Sequence, residues 1–68
     1  MKYIFAERLK ELRTEKNLSM DKLAKLLGTT NASICRWENG VHDIKGVELF
    51  KLAQFFGVSA GYLIGLED

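Results

Sequence analysis

An all-α fold of five short helices in one domain is what this sequence predicts, and three observations carry the prediction. No segment alternates apolar and polar residues with the period of two that a half-buried strand requires, whereas apolar residues recur at spacings of three and four. The chain has no proline, and its six glycines are scattered at the ends of the helical segments. With 68 residues, 47% of them hydrophobic, there is material for one small core, and no low-complexity run or linker divides it. Residues 1–68 therefore read as a single domain.

The first helix is expected over Tyr3–Lys16, where Phe5, Leu9 and Leu12 lie on one face, the other faces are charged, and Asn17 sits in the closing turn. Ser19 caps a second helix that runs to about Leu27, although Lys22 stands where a capping box would place glutamate. Ala24 is small one turn before Gly28, which suits a close helix crossing, and Gly28 suits the left-handed turn that ends the helix. Thr29 and Thr30 supply turn and cap hydroxyls, so a third helix begins after Thr30, spans Asn31–Asn39 and stops at Gly40. A loop, Val41–Ile44, leads to a fourth helix over about Lys45–Phe56, with Leu49, Leu52, Ala53 and Phe56 as its apolar stripe and a poor N-cap. Gly57 ends it, and Ser59 caps a short fifth helix, Ala60–Ile64, carrying Tyr62 and Leu63.

The most informative stretch is 19–40, two short helices joined by a turn. Leu23, Ala24, Leu27, Ile34 and Trp37 fall where two crossed helices would touch, and Asn31, Ala32, Ser33, Cys35 and Arg36 face outward. A helix buried on one side and polar at its N-terminal tip can enter a groove. This stretch, with the pattern Ile34, Trp37, Glu38, Asn39, Gly40, resembles the helix-turn-helix of the phage repressor and Cro (XRE) family, and the similarity runs from about Phe5 to Gly65. The resemblance implies a five-helix, lambda-repressor-like DNA-binding domain, and with it a sequence-specific transcriptional regulator, expected to be a repressor on a two-fold-symmetric operator.

A recognition helix reads base edges with residues near its N-terminus, because that end enters the major groove deepest. Asn31, Ala32 and Arg36 are accordingly the candidate base contacts: asparagine can pair with adenine through two hydrogen bonds, arginine with guanine, and the alanine methyl can pack on thymine. The resemblance assigns base reading to the same three positions. It also implies phosphate contacts at Met20, Ser33, Asn39 and Lys45, although many relatives carry a phosphate-gripping glutamine where this chain has Met20, leaving only the backbone amide there. The loop 41–44 is less basic than in many relatives. Arg13 and Glu38 match a pair that forms a structural ion pair in similar proteins, the alternative being that Arg13 meets phosphate. Trp37, three residues after Ile34, reads as core. Cys35 lacks an evident activating neighbour and His42 is one imidazole in a loop, so both read as passive.

A small module of this kind usually binds as a dimer spanning half-sites about 34 Å apart. Phe55 lies off the main stripe of the fourth helix, and Tyr62, Ile64 and Leu66 add apolar surface near it, so this C-terminal patch is the expected homodimer contact. Tyr62 and part of the patch could equally complete the core.

Charge and chemistry bound the function further. The net charge is only +1, but Met1–Arg36 holds eight Lys/Arg against four Asp/Glu, net +4, and Trp37–Asp68 holds two against five, net −3. The basic half contains the outward-facing tip. An enzyme is not expected: one histidine, one cysteine and aspartates only at 21, 43 and 68 make no catalytic constellation, no zinc spacing and no phosphate-cradling glycine loop. No cofactor, metal or small-molecule ligand is implied. Without an apolar N-terminal run or a stretch near 20 apolar residues, a cytoplasmic protein is expected, and one cysteine fits a reducing compartment. Two alternatives stay open, an antitoxin partnered by a toxin protein and a protein-interaction module that keeps the fold without reading DNA.

Overall fold

The computed structural model describes residues 4–68, and within them the chain forms α1 Ile4–Glu15, α2 Met20–Leu27, α3 Asn31–Glu38, α4 Gly46–Phe56 and α5 Ala60–Leu63, with no strand among the described residues. Each helix lies within a residue or two of its expected bounds. Tyr3 lies outside the described residues, while Asn39, Lys45 and Ile64 act as caps rather than helical residues. Asn17 closes α1 in the left-handed region, at φ 56°.

Every helix contributes to one core. Phe5 and Leu9 of α1, Leu23 and Ala24 of α2, Ile34 and Trp37 of α3, Leu52, Ala53 and Phe56 of α4 and Leu63 of α5 meet there. The largest fully buried side chains are Trp37, Leu9, Leu23, Ile34, Leu52 and Leu63, each contributing about 1.5–3 kcal/mol of transfer free energy. α3 packs against both α1 and α2, and α5 closes the far side against α1 and α4. The consequence is that α3 is held from two directions on its inner side, which leaves its other side to solvent.

Local hydrogen bonds set where the helices start. The hydroxyls of Ser19, Thr30 and Ser59 accept from the backbone N–H of Lys22, Ser33 and Tyr62 at 3.0, 3.1 and 3.0 Å, each satisfying a donor that the first helical turn leaves free. At α4 the N-cap is Lys45, which has no side-chain acceptor; there Glu48 Oε1 accepts from the Lys45 backbone N–H at 2.9 Å, the returning half of a capping box. Gly28 ends α2 at φ 73°, with Thr29 N–H reaching back to Ala24 O at 2.9 Å. Nothing lies within 4 Å of where a Gly28 Cβ would stand, so the backbone conformation and not crowding demands glycine.

The C-terminal end is tied back to α1. The Arg8 guanidinium donates to the Tyr62 carbonyl and, at 2.7 Å, to the Glu67 carbonyl, and it lies 4.2 Å from the centroid of the Tyr62 ring. Ser59 Oγ donates to Glu67 Oε1 at 2.9 Å. Among the described residues no helix is long and apolar enough to cross a membrane.

Candidate nucleic-acid interface

Helical spacing divides α3 into two sides. Ile34 and Trp37 point inward at 0% and 2% exposure, against Leu23 and the 3%-exposed Ala24 of α2. Glu38 closes the inner side: its Oε2 accepts from Arg13 Nε at 2.6 Å and its Oε1 from Arg13 Nη2 at 3.0 Å, while Arg13 Nη1 donates to Leu18 O at 2.8 Å. The hydrogen bond to Glu38 raises the Arg13 pKa above the ordinary arginine range, against the opposing effect of burial and with added Coulombic support from the same carboxylate. This pair locks the C-terminal end of α3 to α1, so the angle at which α3 leaves the core is fixed at both ends.

The outer side carries Asn31, Ala32 and Arg36, all exposed, with Ser33 and Cys35 half-buried. The hydrogen bond from Asn31 Nδ2 to Asp21 Oδ1, at 2.7 Å, brings the N-terminal tips of α2 and α3 together. A carboxylate cannot accept from the amide oxygen, so this bond also orients the amide, nitrogen toward Asp21. Arg36 Nε donates to Asp43 Oδ2 at 2.8 Å and Nη2 to Ser33 Oγ at 3.3 Å, and Trp37 Nε1 donates to Asp43 Oδ1 at 2.9 Å. The Asp21 and Asp43 contacts escape sequence reasoning, since Asp21 precedes Asn31 by ten residues and Asp43 follows Arg36 by seven across a loop of no fixed period.

The remaining site residues are distributed less evenly. Met20 is half-buried and its side chain packs on the core, so what α2 offers outward at that position is backbone. Ser33 is engaged by the Thr30 hydroxyl as well as by Arg36. Asn39 is exposed and donates to Cys35 Sγ at 3.3 Å, while Lys45 and His42 are exposed beside the loop. At the opposite end, Ile64 and Leu66 are 46% and 79% exposed, whereas Phe55 packs edge-on to Phe56 at 5.0 Å and Tyr62 is half-buried beneath Arg8. Val47 and Phe50 of α4, which the helical stripe leaves outside the core, are exposed as well.

A polar-tipped helix carried on a second helix through a glycine turn is a helix-turn-helix, and the sequence profile of the family so described matches residues 9–63. The chain belongs to the helix-turn-helix family. Within the family it is similar to the transcriptional activator BcrR of Enterococcus faecalis, 34% identical over 64 residues that cover 94% of this chain and 31% of BcrR. The chain thus spans about a third of that relative. Among solved structures it is similar to the restriction-modification controller protein C.AhdI of Aeromonas hydrophila, with 34% identity and a TM-score of 0.79 over 91% of this chain and 90% of that one. It is also similar to part of the hydroxypropylphosphonic acid epoxidase of S. wedmorenis, with 34% identity and a TM-score of 0.82 over 93% of this chain and 34% of the enzyme. The helix-turn-helix fold therefore occurs both as nearly a whole controller protein and as one third of an enzyme.

Proposed function

We propose that this chain is a sequence-specific DNA-binding transcriptional regulator that acts as a homodimer and reads a two-fold-symmetric operator through the major groove. The observation that carries the reading is the two-sided α3: Ile34, Trp37 and Glu38 hold it rigidly from within, and Asn31, Ala32 and Arg36 stand exposed on the side that would enter a groove. Membership in a family whose named members include a transcriptional activator and a restriction-modification controller supports it. In this reading Asn31, Ala32 and Arg36 contact bases, and the Met20 backbone, Ser33, Asn39 and Lys45 contact phosphates. The chain acts in the cytoplasm, as a binding module and not an enzyme, and represses by blocking polymerase sterically. Ile64 and Leu66, with the exposed parts of Phe55 and Tyr62, form the contact between protomers.

Selection of bound sequences from random duplex DNA tests the reading, and a site with two-fold symmetry is the expected result. Sedimentation of the protein alone and on the selected site tests the dimer; a monomer at high micromolar concentration in both states refutes it. The epoxidase similarity sets the same fold beside an enzyme, so a helix-turn-helix alone does not decide DNA reading, and the second reading is a protein-interaction module that keeps the fold without reading DNA. Failure to enrich any sequence, with a protein partner recovered instead, would establish that second reading.

A further inference from the structure

The Arg36 side chain is not free on the surface of α3: it is held by a carboxylate that is itself anchored in the core. Asp43 Oδ1 accepts from the indole N–H of Trp37 at 2.9 Å, and Trp37 is 2% exposed. An indole has one donor in one direction, so a buried ring pins Oδ1 and restricts rotation of the carboxylate about it. Oδ2 then meets Arg36 Nε at 2.8 Å. With Nε committed, the guanidinium keeps its other paired face, the Nη1–Nη2 end; Nη2 has two hydrogens, and the Ser33 contact at 3.3 Å uses only one of them.

The geometry points to Asp43 as a specificity-determining positioning residue, which through Trp37 presents the Nη1–Nη2 end of Arg36 to the O6 and N7 of a guanine. This deepens the proposed function and rests on it. The arrangement has one consequence from its geometry and one from its charges. A fixed fork makes both guanine bonds without first ordering a long side chain, so preference for guanine rises. The Asp43 carboxylate also partly cancels the Arg36 charge, so Arg36 contributes less to sequence-independent attraction to phosphate. Asp43 thus trades general affinity for discrimination. The side chains of the pair are 48% and 42% exposed, so the arrangement is accessible to a duplex without unfolding any part of the core.

Asp43→Asn separates the two bonds, because an asparagine carbonyl still accepts from Trp37 while its amide cannot accept from Arg36. The full chain, Asp43→Asn, Arg36→Ala and the double variant are each measured on the selected site, on that site with one guanine replaced, and on random duplex, at one salt concentration. Thermal melting and Trp37 fluorescence verify the fold of each. For the unsubstituted chain, replacing the guanine costs on the order of tenfold in affinity. Asp43→Asn should reduce that ratio to about twofold, raise affinity for random duplex, and leave preferences at other positions unchanged. In the Arg36→Ala background it should change the guanine preference no further, since Asp43 acts through Arg36. An undiminished guanine preference in Asp43→Asn overturns the proposal, as does an equal loss on all three duplexes. If Asp43→Asn fails to fold, the Arg36→Ala protein alone still decides whether Arg36 discriminates guanine, and an unchanged preference there overturns the proposal. Failure of the unsubstituted chain to select any site removes the DNA-reading function as well, an outcome distinct from selection without the Asp43 effect.

Discussion

On the inner side of α3, Arg13 and Glu38 share two hydrogen bonds between side chains 11% and 4% exposed; on the outer side, Arg36 and Asp43 share one between side chains 48% and 42% exposed. The chemical groups are the same kind and the helix is the same, yet burial gives the pairs different work. Where water is largely excluded an unpaired charge is costly, so the part-buried inner pair ties helices together. At the surface water competes with each partner, so the outer pair adds little to stability, and it leaves the Nη1–Nη2 end of Arg36 open to a further hydrogen-bonding surface.

The largest test of that contrast is to break the inner pair. Glu38→Ala leaves the part-buried Arg13 guanidinium with only the Leu18 carbonyl as acceptor, and the expected loss is about 1–3 kcal/mol. In a domain this small that lowers Tm by about 5–20 °C. Urea unfolding measures it, and a loss below about 1 kcal/mol would mean that burial does not distinguish the pairs. The raised Arg13 pKa sets the pH dependence: its stabilisation is complete below the ordinary arginine range and is lost only as pH rises through the still higher folded value. The Arg13 contribution is therefore flat from neutral pH to about pH 10.

On the outer side, Arg36→Ala should cost about 1–3 kcal/mol in binding to the selected site and relax preference at one base position. Its effect on folding should stay within about 0.5 kcal/mol, because the side chain is exposed. Equal weakening on every duplex would make Arg36 a phosphate contact, and a large loss of stability would place it with the inner pair. Thr30→Ala addresses the tip between the two sides. Removing the hydroxyl that accepts from Ser33 N–H should cost about 1 kcal/mol in thermal or urea unfolding, and a null effect would show that packing alone frames the tip.

The two sides also differ in how far the sequence discloses them. Regular spacing reveals which residues of 31–39 face in and out, and Ser19, Gly28, Thr30, Gly57 and Ser59 announce helix ends because capping chemistry is local. The α4 start is legible from its apolar stripe but not its cap: Lys45 has no acceptor to offer, and Glu48 supplies the bond from inside the helix. Arg13 and Glu38 are 25 residues apart, so no periodicity connects them, and only the family resemblance suggests the pair. Asp21 and Asp43 have neither signal. Whether a carboxylate reaches Asn31 or Arg36 depends on how the α2–α3 crossing and the 39–45 loop are folded, which is tertiary information.

The smallest expected effect is the most selective. Asp43→Asn keeps an acceptor for the Trp37 N–H and removes only the charge and the Arg36 bond, so its cost in unfolding free energy should fall at or below about 1 kcal/mol. Salt then separates this loss from the inner one. At about 1 M ionic strength the screening length is about 3 Å, comparable to the Arg36–Asp43 separation, and water and ions reach both partners. The stability difference between Asp43→Asn and the unsubstituted chain should accordingly shrink toward zero as salt rises. The Glu38→Ala deficit should persist, because side chains only 11% and 4% exposed are screened far less than those of the outer pair. Urea midpoints for both variants at low and high salt provide the comparison. If the two deficits fade together, the inner pair is as open to solvent as the outer one, and the division of α3 into a structural and a reading side loses its electrostatic basis.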